Sequence, residues 1–180
     1  MAGAACPNPL TGGILEGVPA RREFLEIYLA RILLPLELPA IAEACGHALR
    51  GELRELIAQD QRLQAPLRLT PFAGPSQIIG RLQLARMRPL RDDRVVQRYL
   101  DAVESGRAFG WHTIMYGLTL AVYSLPLRQG LLFYAQQTLA GLAAAAESEL
   151  AGALDELMNR VPPAVEASLA ASGTPCAGRE

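Results

Sequence analysis

The residue types that could support catalysis are few in this sequence, and the two histidines come first. His47 and His112 are the only histidines in the chain, and they are far apart. Zinc sites of the HExxH type need two histidines on one face of one helix, and paired CxxC sites need four cysteines, so both are excluded. His112 can act as a general base only if a distant carboxylate orients it. An enzyme that uses His112 in this way is an open alternative.

One local group of metal-binding residue types is present, formed by Glu43, Cys45 and His47. Glu43 and His47 are four residues apart and share a helix face, whereas Cys45 points elsewhere. This spacing is more typical of the polar edge of an amphipathic helix than of a metal site. We therefore predict no resident metal or cofactor, with these three residues as the only candidates for a transient contact.

Other catalytic classes are excluded by composition. All 17 basic residues are arginine, so Schiff-base chemistry and the P-loop lysine are absent. Ser76 lies in GPSQI, which lacks the second glycine of a G-x-S-x-G elbow, and it is predicted to cap a helix. The net charge of −1 provides no basic field for nucleic acid. These observations favour a protein that works by binding other proteins.

Apolar residues recur at helical spacing through most of the chain, with proline and glycine between the segments. We predict a single-domain all-α bundle of about seven or eight helices over residues 21–161, with flexible ends at 1–20 and 162–180. The predicted helices cover residues 21–34 (ended by Pro35), 39–49, 52–63 (Asp60 on the polar side), 76–88 (begun by Ser76), 93–105 (begun by Asp92 or Asp93, stopped by Gly106), 113–125, 127–150 and 151–161. The alanine-rich segment 131–146 is predicted to be the central packing element.

The apolar stretch from 113 to 150 does not predict a membrane hairpin. Its first half is shorter than the ~20 residues that a span needs, and its second half contains Arg128 and several glutamines. The N-terminus lacks a basic region followed by an apolar one, so we expect a cytoplasmic protein. Three widely spaced cysteines, Cys6, Cys45 and Cys176, favour reduced thiols.

Several short motifs occur in a fixed order between about residues 12 and 161. A Gly-x-Leu-Glu element ends at Glu16, and Glu37-Leu38-Pro39 leads into the next helix. A Ser-x-x-x-Gly-Arg-Leu helix follows, and then a His-x-x-x-x-Gly element precedes a Leu-Pro turn and an alanine-rich helix. Their motif residues are Ser76, Gly80, Arg81, His112 and Gly117. Taken together, this series resembles the UreF family of urease accessory proteins.

The resemblance implies an all-helical, non-catalytic protein, often a homodimer. Such a protein bridges a UreD-type partner, also called UreH, and the UreG GTPase while nickel is delivered to the urease apoprotein. The chain departs from the family pattern at two places near those partners. The opening Leu-Pro-x-Gly and serine-containing glycine-rich stretch is missing, and ESELAGALDEL replaces a Pro-Leu-Gly-Gln-like loop. Altered partner binding is therefore expected, and an unrelated helical adaptor is the alternative.

Aromatic residues are concentrated in the segment from 111 to 134. The set consists of Trp111, Tyr116, Tyr123, Phe133 and Tyr134. Aromatic side chains are favoured at interface centres because each removes a large area from water at a small entropy cost. We predict that some of them form an exposed apolar patch and that the chain self-associates.

Overall fold

The computed structural model describes residues 18–144 and 151–172, and in these residues it contains helices and no strand. The predicted all-α class is therefore confirmed. The α-helices are α1 Val18–Tyr28, α2 Leu38–Leu49, α3 Leu53–Arg62, α4 Thr70–Arg86, α5 Arg94–Glu104, α6 His112–Val122, α7 Leu127–Ala144, α8 Ala151–Met158 and α9 Val161–Ser172. None of the described helices is both long enough and apolar enough to cross a bilayer.

The prediction that Pro35 ends the first helix is wrong. A π-helical segment, Leu29–Glu37, contains Pro35 and joins α1 to α2 without a break. Proline lacks an N–H and its ring collides with the carbonyl four residues earlier in an α-helix. A π-helix bonds five residues apart, as in the bond from Leu38 N to the Leu33 carbonyl, so its wider turn accommodates the ring.

The centre of the bundle is the crossing of α2 and α6. A methyl group added to Gly117 on α6 would lie 2.6 Å from the Ile41 carbonyl oxygen and 2.8 Å from Ala44 Cβ on α2. The two backbones therefore nearly touch, as small residues at a helix crossing allow. Helix α2 also packs against α3, α7 and α9. The prediction that the alanine-rich segment is the central packing element is thus wrong. The small residues Gly117 and Ala44 instead let α2 and α6 meet at the core.

Helix α4 begins earlier than predicted. Pro71 lies in its first turn, where a missing N–H costs nothing, and Pro75 lies inside it. Ser76 is consequently an interior residue and does not cap α4. The cost of Pro75 is offset by burial, since Phe72 and Ala73 pack against the core. Local breaker signals were outweighed here by tertiary packing.

Helix α5 follows its local signals. The Asp93 carboxylate accepts hydrogen bonds from the Val95 and Val96 amides, each 3.0 Å long, and so caps the helix. Gly106 lies just past the end with a φ of 73°, a left-handed conformation that glycine adopts without strain. The predictions for Asp93 and Gly106 are confirmed.

The last residues that the structure describes form a helix. Residues 161–172, most of which were predicted to belong to a flexible tail, form α9 and bury Val161, Val165 and Leu169 against the core. The four-residue spacing of these side chains places them on one helix face. Pro162 and Pro163 fall in the first turn, where proline is tolerated, so they do not prevent the helix.

Candidate functional site

A buried aspartate organises the loop between α5 and α6. Asp60 on α3 is fully buried, and its carboxylate accepts hydrogen bonds from the backbone amides of Phe109, Gly110 (3.0 Å) and Trp111 (3.2 Å). The Tyr99 hydroxyl donates a fourth bond of 2.6 Å. Hydrogen bonds to an ionised carboxylate are about twice as strong as neutral ones, so this residue fixes the loop firmly.

Asp60 was predicted to lie on the polar side of its helix, and that prediction is wrong. Leu53, Leu56 and Ile57 are all buried or packed against the core, and Asp60 continues their i, i+3, i+4, i+7 series. The spacing therefore contained a usable signal, an acidic residue at a core position. Such a residue needs several donors around it, because an unpaired buried charge is costly.

The motif residues of α4 contact the same loop from the other side. A methyl group on Gly80 would overlap the Gly110 carbonyl oxygen and lie 2.8 Å from the His112 nitrogen. The Arg81 Nε donates a 2.9 Å hydrogen bond to the Phe109 carbonyl oxygen. Gly80 thus permits close approach of α4 to the loop, and Arg81 fastens it there.

Ser76 acts on α6 rather than on its own helix. Its hydroxyl oxygen accepts a 3.2 Å hydrogen bond from the His112 backbone amide. Trp111, the residue that precedes α6, provides no side-chain cap. The first amides of a helix lack partners within the helix, so Ser76 supplies an acceptor from a neighbouring element. Ser76, Gly80 and Arg81 together hold the start of α6 in place.

The His112 ring lies among aromatic side chains. Its centroid is 6.2 Å from that of Tyr116 and 5.6 Å from that of Tyr134. Burial lowers the pKa of His112 to about 4, so the ring is neutral at physiological pH. In the described part of the chain no carboxylate is hydrogen-bonded to this ring, whereas a general base of the triad type needs one to orient it.

A second buried polar cluster joins α1, the π-helical segment and α7. The Tyr28 hydroxyl donates to the Glu37 carboxylate at 3.0 Å, and the Tyr134 hydroxyl donates to it at 3.2 Å. Burial raises the pKa of Glu37 to about 7, although both tyrosine hydrogen bonds favour its charged form. Glu37 was identified only as part of a helix entry, and its contact with Tyr134 depends on a pairing across 97 residues.

Glu37 also lines a small pocket beside the α6 start. Its volume is about 10 Å³, and the lining residues are Leu36, Glu37, Leu63, Leu69, Phe72, Ser76, Trp111 and Thr113. Trp111 Nε1 and Thr113 Oγ1 are buried and have no hydrogen-bond partner among the described residues. This space holds about one water molecule and is far below the ~300 Å³ typical of small-molecule sites, and its walls are mostly apolar.

The candidate metal residues are only partly brought together. Glu43 and His47 approach each other at 3.3 Å, as their spacing predicted. Cys45 is instead buried in the core, with its backbone nitrogen against Gly117, and burial raises the pKa of its thiol to about 11. A neutral, buried thiol is a poor ligand and a poor nucleophile.

Glu43 and His47 belong to a surface network of ion pairs. Glu43 pairs with Arg62 at 2.7 Å, His47 contacts Glu52 at 2.8 Å, and Glu52 pairs with Arg50 at 2.8 Å. The hydrogen bonds from Arg50 and His47 lower the pKa of Glu52 to about 2. Within residues 18–144 and 151–172, no group of three or more histidine, cysteine or acidic residues is arranged to hold a metal ion.

The opposing pKa shifts of Glu37 and His112 lead to a prediction about pH. Glu37 holds its proton more tightly in the folded state, so its contribution to stability is full below pH ~4.5 and is lost as the pH rises through about 7. His112 has the opposite sign, because its folded-state pKa of about 4 lies below the unfolded value of 6.5. Stability from His112 is therefore lost as the pH falls through that range.

We expect Glu37→Gln to raise the free energy of unfolding at pH ~8 by about 1 to 3 kcal/mol, and to change it little at pH ~4.5. The reason is that glutamine keeps an acceptor for Tyr28 and Tyr134 and removes the buried charge. His112 is common to both proteins, so its titration cancels in the comparison. Urea unfolding at several pH values measures the effect, and Glu55→Gln, at an exposed site, controls for the loss of one negative charge. Parallel profiles for Glu37→Gln and the wild type would contradict the prediction.

The sequence comparisons agree with the motif order. The family model described as UreF matches residues 20–147. Neither the curated proteins nor the solved structures compared with the chain gave a match. The matched range includes Ser76, Gly80, Arg81, His112 and Gly117, all of which lie at helix contacts. Glu16 precedes the match and lies outside the described residues.

Proposed function

Because the chain belongs to the UreF family, whose members are urease accessory proteins, we propose that it is a non-catalytic cytoplasmic scaffold in urease maturation. In this role it bridges a UreD/UreH-type protein and the UreG GTPase during nickel insertion into the urease apoprotein. The observation that supports the proposal most directly is that the family-motif residues hold helices together. Ser76, Gly80 and Arg81 hold the loop before α6, and Gly117 allows α2 and α6 to touch, so these residues serve shape rather than reaction chemistry.

A scaffold requires that its partner-binding surfaces keep a fixed geometry. The Asp60 carboxylate and the α4 motif hold one loop from opposite sides, which defines the position of α6 relative to α3 and α4. The hydrogen bonds of Tyr28 and Tyr134 to Glu37 likewise fix the position of α1 relative to α7. Preorganised surfaces bind more tightly because less conformational entropy is lost on association. The buried polar network therefore fits a protein whose function is docking.

Co-expression tests this proposal. The tagged chain is produced with the UreD/UreH-type protein, with UreG, and with both, and the complexes are isolated by affinity purification. We expect the three-protein complex, and we expect UreG to be retained only when the chain is present. Urease activation in a host that lacks its own UreF provides the functional measurement. Absence of binding to either partner at concentrations well above ~10 μM would contradict the proposal.

Self-association is part of the same proposal. Of the five aromatic residues between 111 and 134, Tyr123 and Phe133 are more than half exposed. Leu125, which lies between them in the sequence, is 48% exposed. Trp111 and Tyr134 are buried in the core, so the aromatic residues available for the predicted exposed patch are those at the α6–α7 end. Aromatic residues are typical of interface centres, so these exposed side chains support the proposal.

We expect Phe133→Glu to shift the chain towards the monomer. A carboxylate at the centre of an apolar contact would lose its hydration without gaining a partner. Light scattering of the wild type and the variant at ~100 μM measures the change. The control is Leu49→Glu, which places the same charge at an equally exposed apolar position. A wild-type chain that is already monomeric at this concentration would contradict the prediction.

A further inference from the structure

The outer face of α4 is apolar, although it faces solvent. Ile78 and Leu82 are each 61% exposed, and Pro71 and Ala85 are exposed as well. The spacing of these four residues places them on one side of the helix, opposite Gly80 and Leu84, which are buried. We call these four residues the α4 outer stripe. Scattered exposed leucines are normal, but a row of apolar residues along a helix is the usual mark of an interaction surface.

The charges around the stripe have one sign. Arg81 lies on one flank and Arg86 on the other, at the angles that a helical repeat gives them. Arg81 is held in place by its bond to the Phe109 carbonyl oxygen, and Arg86 has no ion pair in the described part of the chain. Residues 61–91 contain six arginines and no acidic residue, although Arg62 and Arg88 are paired with Glu43 and Glu104 from other helices. The only charged residues of α4 itself are Arg81 and Arg86, so the charge beside the stripe on this helix is positive and favours an acidic ligand.

The geometry favours a helical ligand. Helix α4 has 17 residues, which corresponds to a length of about 25 Å. An amphipathic helix of similar length places its own apolar residues along such a stripe and its flanking residues beside the arginines. A second copy of this chain fits poorly, because a two-fold contact through α4 brings arginine flanks against each other.

We propose that the α4 outer stripe is a docking site for an acidic amphipathic helix of a partner protein. The apolar contact supplies most of the affinity, and the arginine flanks select the sign of the partner's charge. This inference goes beyond the scaffold role, since it concerns the surface and holds whether or not the partner is a urease accessory protein.

The probe is a synthetic amphipathic helix of about 20 residues, with leucine at the heptad a and d positions, glutamate beside them and alanine elsewhere. Its fluorescence anisotropy is measured against the full chain. We expect saturable binding with a Kd below ~100 μM that weakens as salt is added. Leu82→Gln should weaken binding about tenfold, which corresponds to one buried leucine, and Arg86→Gln should weaken it severalfold. Leu49→Gln, at an equally exposed leucine of α2, should bind like the wild type.

These variants lie at exposed positions, so unchanged circular dichroism spectra are expected and will establish that each is folded. The proposal is overturned if the acidic peptide does not bind at ~500 μM, if Leu82→Gln binds it like the wild type, or if a peptide with lysine in place of glutamate binds equally well. It is also overturned if Leu82→Gln converts a dimer of this chain to a monomer, since the stripe would then be a self-interface. Failure of the scaffold proposal would appear separately, as absence of the urease accessory proteins from the purified complex while the peptide still binds.

Discussion

Gly80→Ala should lower the free energy of unfolding by about 3 kcal/mol or more. The added methyl group would overlap the Gly110 carbonyl oxygen and crowd the Trp111 and His112 backbone. All three neighbours are backbone atoms, so no rotamer change can relieve the overlap, and α4 must move away from the loop. Such a movement also breaks the hydrogen bond from Arg81 to the loop.

Gly74→Ala is the matched control, because it makes the same substitution in the same helix. A methyl group on Gly74 meets nothing within 4 Å apart from its two chain neighbours. Alanine is a better helix former than glycine, but a Cβ directly before Pro75 crowds the proline ring in the helical conformation. The two effects oppose each other, so this variant should differ from the wild type by less than about 1 kcal/mol. Urea unfolding followed by circular dichroism should therefore show a large loss of stability for Gly80→Ala and a small change for Gly74→Ala. Equal stability of Gly80→Ala and the wild type would mean that α4 and the loop are not in contact as described.

The contrast between these two glycines shows what could be predicted from the sequence. Helix α5 was predicted well because its signals are local: Asp93 caps the amides that follow it, and Gly106 supplies the left-handed conformation at its end. The motif order identified Gly80 as a residue of interest. Its physical role could not be predicted, because the contact with Gly110 depends on how two distant segments pack.

The errors have a common physical cause. Pro35 was predicted to end a helix, and Pro75 falls before the helix that was predicted to begin at Ser76. The π-helical turn accommodates Pro35, and core packing of α4 offsets the cost of Pro75. Serine is a residue type that caps helices, and Ser76 does accept a hydrogen bond at a helix start. The helix that it caps is α6 and not its own helix. Each residue kept its intrinsic preference. The contacts that satisfied or offset that preference came from other parts of the structure. Such partners are set by tertiary structure and not by a short window of sequence.

The second large effect is expected at Asp60. We predict that Asp60→Asn lowers the free energy of unfolding by about 2 to 4 kcal/mol. The carboxylate accepts bonds from three backbone amides and one hydroxyl, and both of its oxygens are used. An asparagine offers one acceptor oxygen, and its NH₂ group would face an amide donor in either orientation. At least one buried N–H would then have no acceptor.

The measurement separates this cost from a simple change of charge. Asp101→Asn removes the same charge from an exposed position of α5 and should change the stability by less than ~0.5 kcal/mol. Tyr99→Phe removes one of the four donors and should cost about 1 kcal/mol, since the three amides still share the carboxylate. Hydrogen exchange should show faster exchange at the Phe109, Gly110 and Trp111 amides in Asp60→Asn, because these amides lose their acceptor. Wild-type protection of all three amides in that variant would show that Asp60 does not hold the loop.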